Sequence, residues 1–123
     1  PAAYPALMRA QKIQKRAKKA GFDWDDVDGA FKKLDEEMNE LKAAVAEGND
    51  SHIFEEYGDL LFSAVNVSRF LKIDSEQALN GATNKFVSRF EKVENLANQK
   101  GIDMKSSTLE TLDKLWDEAK TCE

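Results

Sequence analysis

Two pairs of carboxylates in this sequence share one spacing. Glu37 and Glu40 are three residues apart, and Glu56 and Asp59 repeat that spacing farther along the chain. Residues three apart on a helix lie on one flank, so each pair can direct its oxygens to one side. Clusters of carboxylate oxygens are the ligand set of hard cations such as Mg²⁺ or Mn²⁺. The pattern therefore predicts a divalent metal site between two helices.

The turn between the two pairs predicts that they meet. Gly48-Asn49 interrupts the helical pattern, so the helices on either side are expected to run antiparallel. Residues that share an index sum lie at equal height in such a hairpin. By that rule, Glu40 lies level with Glu56. Glu37 lies level with Asp59 in the same way, so four acids are expected to converge.

Other interpretations of these acids are weaker. A lone Glu-x-x-Glu is usually solvated surface, but two pairs at equal height favour a metal site. A di-iron site would need Glu-x-x-His on two helices, whereas Asn49 stands three residues before His52. His52 is therefore predicted to be a surface residue in the turn. Asp59 is expected to be enclosed, because the side chains around residues 60–71 are mostly apolar.

Cations at helical spacing follow the hairpin. Lys85 and Arg89 are four residues apart, and they can either form salt bridges with the acidic hairpin or hold phosphate oxygens, Arg89 bidentately. Trp116 and Lys120 repeat the spacing, and Trp116 is either a core residue or a platform for a base. The sequence has no glycine-rich loop of the Walker type, so side chains and a metal would hold any bound phosphate.

Helices must position all of these residues. The first is predicted from about Pro5 to Ala20, before Gly21, and the next two form the hairpin, with Asp50 or Ser51 as the N-cap of the third. The second helix carries an apolar stripe that is expected to face the core: Val27, Phe31, Leu34, Met38, Leu41 and Val45.

The last two helices complete an all-α chain. The fourth is predicted to begin after Asp74, with Gln77 in a capping box, and to end at Gly101. The fifth is predicted to begin after Ser107, with Glu110 in a second capping box. No alternating strand pattern is present. The predicted architecture is a helical bundle of about five helices with a central antiparallel carboxylate hairpin.

Composition excludes several classes of protein. The chain has 123 residues, enough for one domain, and its six Gly and two Pro argue against all-β and disordered chains. One cysteine rules out an internal disulfide framework and favours a reducing, cytoplasmic location. No apolar run is long enough for a membrane span or a signal peptide. The first residue is Pro1, which suggests a processed chain or a piece of a longer protein.

Charge is uneven along the chain. The net charge is −5, yet residues 1–20 hold six cations and no acid. Such a basic segment could bind nucleic acid or an acidic partner, which would make the chain a non-catalytic interaction module. A solvated helix face, or one that docks on an acidic surface, is the more common outcome, so nucleic acid is not expected as a partner.

The acidic segments resemble a known family. Glu36-Glu37-Met38-Asn39-Glu40 and Glu56-Tyr57-Gly58-Asp59 match the EExxE…ExxD pattern of all-α nucleoside triphosphate pyrophosphohydrolases. The chain resembles the MazG family in particular, and within it the C-terminal of two tandem domains. The resemblance covers nearly the whole chain and includes these flanking segments: Pro5–Ala10, Gly21–Trp24, Asn84–Phe86, Arg89-Phe90 and Leu109 through Trp116.

The resemblance implies an activity and a set of site residues. The family hydrolyses a nucleoside triphosphate, with Mg²⁺, to nucleoside monophosphate and pyrophosphate, a house-cleaning of nucleotide pools. It implies that four acids are metal ligands: Glu37, Glu40, Glu56 and Asp59. It also implies that Lys85 and Arg89 contact phosphate. It implies that Trp116 and Lys120 close over the nucleotide, partly from the partner subunit.

The resulting hypothesis is a homodimeric Mg²⁺-dependent pyrophosphohydrolase. Residues 1–123 are expected to form a single domain, and Glu37, or second to it Glu40, is expected to take the proton from the attacking water. Base-selective dUTP or dCTP pyrophosphohydrolases and phosphoribosyl-ATP pyrophosphohydrolases share the motif and remain alternatives. The sequence does not rank the bases.

Overall fold

The computed structural model describes residues 3–122, and its regular elements are helical. The all-α class predicted from the sequence is confirmed, with no strand in the described part of the chain. None of the helices in that part is both long and apolar enough to cross a membrane. The five α-helices are α1 (Ala6–Lys19), α2 (Val27–Glu47), α3 (Asp50–Phe70), α4 (Ser75–Gln99) and α5 (Leu109–Thr121).

Glycines end α1 and α2 as predicted. Gly21 and Gly48 have φ angles of 89° and 74°, in the left-handed region that side chains with a Cβ disfavour. The backbone N–H of Phe22 donates to the carbonyl of Ala17, which closes the end of α1. These turns fix the two connections that shape the helical hairpin.

Two predicted N-caps are wrong by a small shift. Asn49, rather than Asp50 or Ser51, caps α3, and Thr108, rather than Ser107, caps α5. In both caps the side-chain oxygen accepts from a backbone N–H three residues on, at 3.1 and 3.2 Å. Neighbouring polar residues are all competent caps, so local geometry decides among them. A short 3₁₀-helix, Met104–Ser106, precedes α5 and was not predicted.

The chain divides into two compact units, one up to Ala78 and the other from Leu79 onward. In the first unit, α2 and α3 pack side by side as a hairpin. The buried residues of α2 are spaced by seven: Ala30, Glu37 and Ala44. Those of α3 include Glu56, Ser63 and Asn66. The seam of the hairpin is therefore small and polar.

The apolar stripe of α2 does not form this seam, which corrects the sequence prediction. Phe31, Met38 and Val45 are 44%, 40% and 58% exposed. Periodicity identifies the apolar face of a helix but does not say what covers it. The face with two alanines and a glutamate leaves room for the acids of the hairpin.

An ion pair holds the loop after α1 against α3. Arg69 Nη1 and Nη2 donate to the two carboxylate oxygens of Asp23 at 3.1 and 2.6 Å. Arg69 Nε and Nη2 also donate to Asn66 Oδ1 at 3.1 and 2.8 Å. Both partners of the ion pair are largely buried, with side-chain exposures of 7% and 12%. The bidentate geometry fixes the loop that carries Trp24.

The second unit has its own small core. Val93 and Ala97 of α4 are buried with Leu115 and Ala119 of α5. Five partly buried side chains pack around them: Leu96, Ile102, Met104, Leu112 and Trp116. This packing positions Trp116 within its unit.

Candidate metal centre

Three carboxylates from α2 and α3 come together in the first unit. One oxygen each from Glu37, Glu56 and Asp59 lies within 4.8 Å of the others. Oxygens bound to one Mg²⁺ lie about 2.1 Å from the ion, so they are at most about 4.2 Å apart. A small closing movement of these side chains would therefore create a three-ligand site.

Burial within the cluster differs from the prediction. Glu37 and Glu56 are only 5% and 8% exposed, whereas Asp59 is exposed. The expectation that Asp59 is enclosed is wrong, because it lies at the edge of the seam that Glu56 and Ser63 occupy. The cluster thus has two buried ligands and one at its rim, which leaves an open side for water or substrate.

Two oxygens of the cluster are buried without a partner. Oε2 of Glu37 and Oε2 of Glu56 accept no hydrogen bond from the described residues. A buried carboxylate oxygen without a partner is costly, by about 1–3 kcal/mol or more for a charged group. A divalent cation would satisfy both atoms, so the residues present fit a hard metal ion.

Two side chains that sequence reasoning did not assign to the site contact these glutamates. Lys33 Nζ lies 3.0 Å from Glu37 Oε1, and His52 Nε2 lies 3.2 Å from Glu56 Oε1. The prediction that His52 belongs to the turn is wrong, because it lies in the first turn of α3. Both contacts join residues four apart, a helical spacing that could have identified them.

These contacts shift the pKa values of both residues. The hydrogen bond to Glu37, followed by that residue's charge, raises the pKa of Lys33. The pKa of His52 is raised first by its hydrogen bond to Glu47, and Glu56 adds to the effect. Positive charge is therefore favoured on both sides of the acidic cluster.

Glu40 lies outside the group of three but within reach of it. Its pKa is raised, first because its protonated form can share a hydrogen bond with Glu56 and then because Glu37 and Glu56 are negative. The pKa of Asp59 is also raised, first by partial desolvation and then by the charges of Glu37 and Glu56. These shifts show that the four acids repel one another in the absence of a cation.

The other predicted site residues lie in the second unit. Lys85 and Arg89 are one turn apart on α4, and Trp116 and Lys120 are one turn apart on α5. The guanidinium of Arg89 lies 5.9 Å from the ring centroid of Trp116. Trp116 also contacts Phe86, with ring centroids 5.3 Å apart. The structure thus brings Arg89 and Trp116 together, while the two lysines are exposed.

Comparison with known proteins gives one family. The sequence model of the MazG nucleotide pyrophosphohydrolase domain matches residues 26–94, more than half of the chain and all four acids. A nucleoside triphosphate pyrophosphohydrolase/pyrophosphatase MazG of Thermotoga maritima is 47% identical over 116 residues. A nucleoside triphosphate pyrophosphohydrolase of Escherichia coli K12 is 43% identical over 124 residues.

The coverage of these matches is unequal. They include 94% and 98% of this chain but only 44% and 46% of the two relatives. The chain therefore spans less than half the length of these curated relatives. An uncharacterised protein of Bacillus subtilis, YabN, is 47% identical over 68 residues, which is 55% of this chain and 14% of that protein.

Proposed function

This chain belongs to the MazG nucleotide pyrophosphohydrolase family, and from that premise we propose that it hydrolyses nucleoside triphosphates to nucleoside monophosphate and pyrophosphate. The observation that carries the proposal is the carboxylate cluster with two buried, unpaired oxygens. It lies within the segment that the family model matches. The names of the two long relatives describe the same reaction.

The metal ligands in this proposal are the four acids of the hairpin. Glu37 and Glu56 would bind through their unpaired Oε2 atoms, and Asp59 would bind from the rim. Glu40 would join them from the exposed side of α2. We propose Mg²⁺ as the cation, because hard oxygen ligands suit it, and Mn²⁺ as a substitute. When bound, the cation would neutralise triphosphate charge and lower the pKa of a bound water.

Of the two candidate bases, Glu40 is the better placed. Glu37 is buried and its Oε1 is held by Lys33 at 3.0 Å, whereas Glu40 is exposed to water. Glu40 also has a raised pKa, which makes its carboxylate a stronger base than an isolated one. We therefore assign proton removal from the attacking water to Glu40 and metal binding to Glu37.

The second unit would supply the phosphate and base contacts. Lys85 and Arg89 would stabilise charge that develops on the phosphates, and Arg89 can do so through two N–H donors. Trp116 and Lys120 would close over the nucleotide. In this proposal the two units act as one domain, and a homodimer supplies part of the closing residues. We also propose a cytoplasmic location, where the exposed Cys122 stays reduced.

The test is pyrophosphate release from the eight common ribo- and deoxyribonucleoside triphosphates, with Mg²⁺ and with EDTA. We expect release from at least one substrate only with the metal. Glu40→Gln should abolish release while the helical circular dichroism signal persists. Asp35→Asn is the matched control, because Asp35 is an exposed acid on the same helix. It should remain active.

Two outcomes would contradict the proposal. One is full activity of Glu40→Gln, and the other is the absence of pyrophosphate release from all eight substrates. Release from a single pyrimidine deoxynucleotide would support the base-selective alternative within the same reaction. No release, together with DNA binding that weakens steeply between about 50 and 200 mM salt, would favour an interaction module instead.

A further inference from the structure

A cavity lies beside the metal centre, within the first unit. Its volume is about 270 Å³, and six of its lining residues are Gln14, Trp24, Lys33, Ser63, Asn66 and Arg69. Whole small-molecule sites usually measure about 300–1,000 Å³. The cavity therefore has room for a part of a ligand rather than for a complete nucleotide.

Gln14 contributes an unpaired hydrogen-bond acceptor to this cavity. Its side chain is 94% buried, since its exposure is 6%. The amide Nε2 donates to the backbone carbonyl of Phe62 at 2.9 Å, which fixes the orientation of the amide. The other end, Oε1, is buried and accepts no hydrogen bond from the described residues. An acceptor held in this way requires a donor from a ligand.

Asn66 has its orientation fixed in the opposite sense. Its Oδ1 accepts two hydrogen bonds from Arg69, at 3.1 and 2.8 Å. The amide N–H groups of Asn66 are then the end left for a ligand. Arg69 is itself held by Asp23 through two further hydrogen bonds. The cavity thus combines one oriented acceptor and one oriented donor with the aromatic ring of Trp24.

The cavity is continuous with the carboxylate cluster through shared elements. Lys33, which lines it, contacts Glu37 of the cluster at 3.0 Å. Asp59, Ser63 and Asn66 follow one another at spacings of four and three on α3, so they lie along one flank. Asp59 and Asn66 are about 10 Å apart along the helix axis. That span matches the distance from the reacting phosphate to the base within a nucleotide.

We propose that this cavity holds the nucleobase and recognises it through Gln14. Gln14 Oε1 accepts a hydrogen bond from an N–H group on the Watson–Crick edge, while an Asn66 N–H donates to the neighbouring ring nitrogen or carbonyl. Trp24 packs against the base. The assignment rests on the proposed nucleotide substrate, because it names the part of that substrate that the cavity takes.

The first test is binding without metal, so that it does not depend on hydrolysis. In a Trp116→Phe parent, Trp24 is the one remaining tryptophan. Nucleoside monophosphates are titrated in EDTA and compared with ribose 5-phosphate. We expect a saturable change in Trp24 fluorescence with at least one nucleotide and none with the sugar phosphate. Gln14→Met should weaken that binding by about tenfold to a hundredfold.

Controls separate recognition from folding. Gln11→Met is the matched variant, because Gln11 lies on the same helix but bonds the backbone at Ile73 and Ser75. It should bind as the parent does. A second comparison needs no variant. The base of the tightest nucleotide is replaced by an analogue that lacks the N–H donor, such as purine for adenine. The loss should equal that caused by Gln14→Met.

The outcomes distinguish this proposal from the proposed activity. Binding seen by calorimetry with no change at Trp24, or with no loss in Gln14→Met, overturns the base site. The absence of any binding overturns it as well. Base-dependent binding at Trp24 in a protein that releases no pyrophosphate would support the cavity and reject the activity. Pyrophosphate release without any dependence on the N–H donor would do the reverse.

Discussion

At the scale of single residues, the acidic cluster sets function against stability. Glu37 and Glu56 each bury an oxygen without a hydrogen bond, and the pKa values of Glu40 and Asp59 are raised by neighbouring charges. A sequence selected for stability alone would not retain this arrangement. Such strain is explained by a ligand that is bound during function.

Neutralising one acid of the cluster should therefore stabilise the metal-free protein. We expect Asp59→Asn to raise the free energy of unfolding by about 0.5 kcal/mol in EDTA, a small value because Asp59 is exposed. The same change should remove the stabilisation that Mg²⁺ or Mn²⁺ gives to the parent. Urea unfolding with EDTA and with metal measures both effects. Asp35→Asn, the control on α2, should change neither, and a destabilised Asp59→Asn protein would refute the argument.

The ion pair of Asp23 and Arg69 gives a prediction about pH. Hydrogen bonds from Arg69 lower the pKa of Asp23 below its ordinary value, although burial opposes the shift. Its stabilising contribution is thus fully present above about pH 4, the ordinary carboxyl pKa. It is lost as the pH falls through the lowered pKa.

We expect Asp23→Asn to cost about 3 kcal/mol at pH 7, because Arg69 is left buried without its anion. The difference from the parent should shrink as the pH falls below about 4. Chemical unfolding in EDTA at several pH values measures this. Asp25→Asn is the control, an exposed acid in the same loop. A difference between Asp23→Asn and the parent that stays constant down to pH 2 would contradict the prediction.

At the scale of helices, the sequence predicted the elements better than their partners. Spacing and end signals located the hairpin, since Gly48 has the left-handed φ that such a turn needs. They did not show that Ala44 faces the seam while Val45 is 58% exposed. Periodicity gives the apolar direction of a helix, whereas the seam depends on which side chains allow close approach. The contact of Lys33 with Glu37 could have been predicted, because it joins residues four apart on one helix.

Gly29, in the first turns of α2, tests how Trp24 is positioned. A Cβ on Gly29 would lie 2.6 Å from Trp24 Cδ1, so the ring would have to move. We expect Gly29→Ala to destabilise the protein by about 1 kcal/mol, because overpacking exceeds the gain in helix propensity. The emission of Trp24 should also change in the Trp116→Phe background.

Gly81 is the matched control for this substitution. It lies inside α4, and a Cβ there would meet nothing within 4 Å. Gly81→Ala should therefore stabilise the protein by about 0.5–1 kcal/mol. Thermal unfolding of both variants makes the comparison. Equal stabilisation by the two alanines would show that Trp24 does not rest on Gly29.

At the scale of the whole molecule, the exposed stripe of α2 supports the proposed homodimer. Phe31, Met38 and Val45 lie on one face at a spacing of seven and remain 40–58% exposed. Exposed apolar side chains in a row usually mark an interface. A second copy presents the same face, and a twofold axis allows the face to pack against itself. The dimer would cover the stripe without covering the buried side of the carboxylate hairpin.

The stripe therefore predicts the mass of the protein in solution. Light scattering should give twice the chain mass of 13.8 kDa, and Met38→Lys with Val45→Lys should give a monomer with unchanged helical content. Leu109→Lys is the control, since Leu109 is 73% exposed but lies on α5, away from the stripe. It should remain a dimer. If Trp116 and Lys120 close over the nucleotide of the partner subunit, the monomeric variant should also lose pyrophosphate release. A monomeric parent would reject the interface, and a fully active monomer would show that each chain contains a complete site.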